Sequence, residues 1–125
     1  MRDVKFRAFI NKLNCYADYV VVISYKYVHG YSAYKDNVEY VNVELEEFTG
    51  LYDVNNKPVY EGDIIEAFNH NPKYMEIKFV EGGFCADWGD SNYPIDINHF
   101  YDSKGCHLKV VGNVNENPNI LKGGK

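Results

Sequence analysis

Cys85, His99, Cys106 and His107 lie within 23 positions of one another. Thiolate and imidazole are the usual protein ligands of zinc, so zinc is the first chemistry to test against them. No pair has the Cys-x2–4-Cys spacing of a structural knuckle, and the neighbours Cys106 and His107 would point to opposite faces of a strand. Asp87, Asp90 and Asp96, with Gly89, Ser91 and Asn92 among them, offer oxygen ligands for calcium. Their order lacks the alternating acids, the glycine and the closing glutamate of an EF-hand loop. Ser24, Ser32, Ser91 and Ser103 sit in no Gly-x-Ser-x-Gly turn that would expose a nucleophile. Gly82-Gly83 is followed by no helical pattern, so it is not a phosphate cradle. The reading is of a non-enzyme with no catalytic, metal or cofactor residue to assign.

One segment rises above this background. From Glu81 to Asp102 there are five acids and no Lys or Arg, a local charge of −5 that equals the whole chain's. Phe84, Trp88, Tyr93, Phe100 and Tyr101 are interleaved with them. A solvated loop over core aromatics gives this pattern. So does a protein-binding face, on which acids steer a basic partner and aromatics anchor it. Asp87, Trp88, Asp90, Tyr93 and Asp96 are its candidate residues. A second candidate patch is Tyr25, Lys26, Tyr27, Tyr31, Tyr34 and Lys35, whose rings could stack on the bases of a single strand.

These residues must be positioned by a chain of 125 residues, long enough for a single core without disulfides. Thirteen Lys and Arg against eighteen Asp and Glu argue against a broad nucleic-acid binder, which needs a basic face. Three cysteines, an odd number, read as free thiols in a reducing compartment. The first residues lack the apolar stretch of a signal peptide, and the run Val20–Ile23 is far too short to cross a bilayer. The expected location is the cytoplasm, with no membrane contact.

Twelve Tyr and seven Phe, with many Val and Ile, are strand chemistry. Alternation predicts strands over Val4–Ile10, Asp18–Val28, Val38–Glu44, Val59–Phe68, Met75–Phe79, Phe84–Trp88 and Leu108–Val114. His29-Gly30 and Lys35-Asp36-Asn37 are expected to bracket a Tyr-rich hairpin or loop. Asp53–Lys57 reads as a turn, Gly62 as a bend in its strand, and Glu81-Gly82-Gly83 as a hairpin tip. Glu44–Phe48 and the residues after Pro118 could each hold one turn of helix. The expected architecture is mainly β, an N-terminal β lobe over residues 1–50 followed by a compact β-barrel over 51–125, packed as one unit.

Four blocks carry a family resemblance. They are Lys5-Phe6-Arg7-Ala8-Phe9, Phe48–Asp53 continuing through Asn56–Ile65, Ile77–Phe84, and Val110–Pro118. In this order they resemble the YopX family of bacteriophage and prophage proteins, with Tyr60-Glu61-Gly62-Asp63-Ile64 the strongest marker. The resemblance implies a C-terminal barrel of SH3-like or related shape and a phage or prophage origin in a bacterial host cell. It implies no catalytic residue. The expected function is a non-enzymatic interaction module whose partner is an unknown host or phage protein. The alternative is single-stranded nucleic-acid binding through the Tyr-rich half, which the charge balance disfavours. Strand edges and surface tyrosines also leave room for a homo-oligomer.

Overall fold

The computed structural model describes residues 5–25, 28–41, 43–70, 73–88 and 94–123. The fold is mainly β, with curled antiparallel sheets and one short helix. By its contacts the chain divides into two compact units, Asp3–Glu47 and a larger one from Phe48 onward.

In the first unit, β1 (Phe6–Ile10) pairs with β2 (Cys15–Tyr16), and a hairpin of β3 (Tyr19–Tyr25) with β4 (Val28–Lys35) is extended by β5 (Val38–Tyr40). Asp36 and Asn37 close the last hairpin with φ of 52° and 65°. This is the left-handed pair that a two-residue turn requires and that Asp and Asn tolerate. Ala8, Ile10, Ala33 and Val43 form the core, with Val20, Tyr40 and Leu45 packed on it.

The long strand β6 (Glu44–Tyr52) runs through the boundary between the units. Its first half pairs with β1, bringing Arg7 opposite Glu46. The Arg7 Nε lies 2.8 Å from Glu46 Oε1, and the Tyr16 hydroxyl donates to the same oxygen at 2.8 Å. This corrects the helical turn expected at Glu44–Phe48. Here Arg7 of β1 neutralises the buried Glu46 and Tyr16 of β2 hydrogen-bonds it, so the segment is held as a strand by its neighbours. A second correction concerns the Tyr-rich stretch bracketed by His29-Gly30 and Lys35-Asp36-Asn37, which lies within β4 and is not a hairpin or loop of its own, while the single strand expected over Asp18–Val28 is divided between β3 and β4. The stretch Val38–Glu44 is also two strands with a break between them, not one.

The larger unit contains β7 (Pro58–Tyr60), β8 (Asp63–Ala67), β9 (Tyr74–Val80), β10 (Gly83–Asp87), β11 (Ile95–Asp96), β12 (Tyr101–Asp102), β13 (Gly105–Cys106) and β14 (Leu108–Asn113). A five-stranded sheet in the order β11-β10-β9-β8-β14 curls into a half-barrel, with a bulge between Val110 and Gly112. A 3-10 turn, Ile97–Phe100, and a final helix α1, Asn119–Gly123, accompany it. The core holds Val59, Ile65, Ala67, Met75, Ile77, Phe84, Ala86, Ile97, Phe100, Leu108 and Val110.

The family blocks build the turns of this sheet. Gly62, at φ 89°, turns β7 into β8, and Asp63 Oδ2 accepts the Tyr60 N–H at 2.8 Å across that turn. Glu81 and Gly82, both at positive φ, close the β9–β10 hairpin. Asp53 is buried and accepts the Asn55 and Lys57 N–H groups on Oδ1 and the Val110 N–H on Oδ2, each at 2.8 Å. It therefore fixes its own turn and also holds β14. Asn113 Oδ1 accepts from the Asn115 and Glu116 N–H groups, ending the last strand.

Candidate interaction surfaces

The acidic-aromatic segment is largely woven into the half-barrel. Asp87 ends β10 directly opposite Glu76 of β9, a like-charge pair that is destabilising unless compensated. Lys78 compensates it, its Nζ 3.1 Å from Asp87 Oδ2, and that hydrogen bond raises the lysine's pKa. Asp96 is exposed and its Oδ1 accepts the Asn98 N–H at 2.8 Å, starting the 3-10 turn. Trp88 is 37% exposed, whereas Phe84 and Phe100 lie in the core. Asp90 and Tyr93 lie outside the described residues. Tyr101 is half-buried and its hydroxyl donates to the Tyr52 carbonyl at 2.7 Å; burial pushes its pKa well above the ordinary phenol value. Cys85 is buried and its thiol is pushed up for the same reason, which removes thiolate character from it.

An open cleft of about 490 Å³ runs beside the β9–β10 tip, lined by residues that include Glu81, Phe84, Pro94 and Asp96. Phe79 and Val80 stand exposed on the same hairpin. Among the described residues, no three His, Cys, Asp or Glu side chains come together as a metal site.

The Tyr-rich patch takes a different form from its sequence. Tyr34 lies opposite Tyr19 in the β3–β4 ladder, and their rings stack 4.9 Å apart at 13°. Tyr31 is exposed, its hydroxyl 3.4 Å from the Val43 carbonyl. Lys35 Nζ lies 3.1 Å from Asp18 Oδ1, and the Ser32 hydroxyl donates to Glu39. Tyr25 is in β3 opposite Val28, while Lys26 and Tyr27 lie outside the described residues. Sequence reasoning missed Tyr19 and its neighbours Val21, Val22, Val38 and Val41, all at least 40% exposed. The hairpin register was the signal that could have found Tyr19. Centring the turn between Tyr25 and Val28 puts residue 19 opposite residue 34.

Two exposed carboxylates here carry a pH dependence. Asp18 is held below the ordinary carboxylate range by the Asp36 N–H and then by Lys35. Asp102 is held down chiefly by His107, 3.0 Å away, and then by the Lys104 N–H. A carboxyl lowered by folding adds stability above its unfolded pKa of about 3.9 and loses it as pH falls through the folded value. Urea midpoints are therefore expected to fall on acidification below about pH 4, and to fall less in a D18N/D102N double variant. An identical acid limb in both proteins would contradict the assignment.

The YopX protein family model matches residues 5–122. The chain belongs to the YopX family. Among solved structures, this YopX protein is similar to protein EF1440 from Enterococcus faecalis, at 20% identity and a TM-score of 0.61. The likeness covers 97% of this chain and 99% of that one, and it shows a shared fold. No curated protein matches it. Among the described residues of this YopX protein, no helix is long and apolar enough to cross a membrane.

Proposed function

We propose that this YopX protein is a non-enzymatic protein-interaction module encoded by a phage or prophage and acting in the cytoplasm of the bacterial host. The observation that carries this reading is the exposure of Tyr19, Val21, Val22, Tyr31, Val38 and Val41 on or beside one three-stranded sheet. Tyr19 and Val21 project from one face of that sheet, and Val22 and Tyr31, opposite each other in the ladder, from the other. Exposed large apolar side chains so close together mark contact sites in soluble proteins. The flat Tyr19–Tyr34 stack offers the rigid aromatic area that anchors protein interfaces. Trp88, with Asp87 and Asp96 nearby in sequence, is a second and smaller candidate face.

The test is capture of a host or phage protein by the immobilised chain. A Y19S/V21T variant is expected to recover roughly tenfold less partner while melting as the wild type does, because both residues are solvent-facing. Equal recovery would remove this surface from the reading, and a W88A variant tests the other face in the same experiment.

Nucleic-acid binding is the second reading, favoured by the exposed Tyr31 and the stacked pair near Lys35. Against it, Lys35 is already joined to Asp18, and Asp36 and Glu39 lie beside it in sequence and ladder. Binding to labelled single strands with a steep salt dependence would establish it over the first.

A further inference from the structure

We infer that β3 is a self-pairing edge, through which two copies of this chain join their three-stranded sheets into one continuous antiparallel sheet. The inference rests on the interaction reading above and names its partner.

An edge strand presents unpaired N–H and C=O groups, and proteins that stay single keep such edges short, charged, bulged or covered. The other edges among the described residues follow that rule. The strands β2, β11, β12 and β13 have two residues each. The edge strand β7 is three residues long and begins with Pro58, while β5 is three residues long and carries Glu39. The outer edge of β14 is occupied, its Val110 N–H bonded to Asp53 and its Leu108 carbonyl to the Val54 N–H. By contrast β3 stands at the end of its sheet, seven residues long, with no charge, proline or glycine. No strand among the described residues pairs with its outer side.

A second copy fits this edge better than a charged partner does. Antiparallel pairing about Val22 sets residue 19 against 25, 20 against 24, 21 against 23, and Val22 against itself. Val22 then meets its own copy across the axis, a favourable β-branched cross-strand pair, and no opposed pair in this register contains a charge. Each opposed pair has the same parity, so both faces of the two sheets continue across the junction. The ladder would hold about six to eight main-chain hydrogen bonds, the count that seven antiparallel residues allow. Exposed Tyr19, Val21, Val22 and Tyr31 flank it and supply apolar area. Charge permits the approach: residues 1–50 carry −1, and residues 51–125 carry −4. An isologous two-fold contact of this kind closes on itself instead of growing into a fibre.

The test is the mass of the full chain in solution by light scattering. The wild type is expected at about twice the 14.5 kDa chain mass. Val22 is 52% exposed, so V22K and V22E should both fold, and each is expected at the mass of one chain because like charges would face across the axis. Mixing V22K with V22E should restore the pair, since opposite charges then meet at that position. A wild type at the mass of one chain, a V22K protein that still pairs, or a mixture that stays unpaired would each overturn the inference. The module reading is judged apart from it. A single-chain wild type that captures another protein, and loses it in Y19S/V21T, refutes the pairing alone; a pair that captures nothing refutes capture alone.

Discussion

Asp53→Ala is expected to cost about 3–5 kcal/mol of folding stability, a large share of what a chain of this size has to lose. The carboxylate is buried and accepts three backbone N–H groups from two distant parts of the chain. Two of these close the turn Asp53–Lys57, and the third belongs to Val110 in β14. Alanine removes three charge-assisted hydrogen bonds at once and leaves the Val110 N–H facing the outer edge of its strand. Asp53→Asn is the informative comparison. An amide oxygen can still accept from the turn, but its NH₂ group cannot accept from Val110, so an intermediate loss is expected. Urea midpoints of the three proteins measure the difference. A midpoint for Asp53→Ala within experimental error of the wild type would show that the carboxylate does not pin the edge.

Ile65→Ala is the second large effect, expected at about 2–5 kcal/mol. Ile65 is fully buried in β8, between Val110 of β14 and Met75 of β9 in the ladder. The substitution loses the transfer free energy of the deleted carbons and leaves a cavity among Met75, Ile77, Leu108 and their neighbours. Those neighbours sit on hydrogen-bonded strands on both sides and have little room to collapse inward. In a chain of this length the melting temperature is expected to fall by roughly 10 °C. Ile65→Val, which removes one carbon, should cost only about 0.5–1.5 kcal/mol. Equal melts for Ile65→Ala and Ile65→Val would show that the site fills in after truncation.

The half-barrel was readable along the chain because its signals are local. Met75 and Ile77 alternate with Glu76 and Lys78, and the structure buries the first pair and leaves the second partly exposed. Glu81-Gly82 and Gly62 mark turns, since each turn needs a positive φ that few residues adopt without strain. The first unit was harder. From Tyr19 to His29 the chain has no glycine or proline, so no local signal separates strand β3 from strand β4, and the break expected at His29-Gly30 falls inside β4. The one turn of helix expected over Glu44–Phe48 is overruled by pairing with β1, a relation between strands that the segment's own residues do not show.

The candidate surfaces divide in the same way. A run of five acids without a cation is a fact of the sequence, but a run contains no information about what crosses from the next strand. Lys78 reaches Asp87, and His107 lies beside Asp102. The isolated charge is therefore partly answered within the fold. Tyr19 was invisible as a site residue because its partner, Tyr34, is fifteen positions away and adjacent only through register.

By itself the sequence determined the β class, the principal turns and the family, because composition, alternation and glycine placement act within a few residues. Only the tertiary structure decided which acids are answered and which tyrosines stack. Those are relations between strands, and antiparallel register brings together residues that no short-range pattern connects.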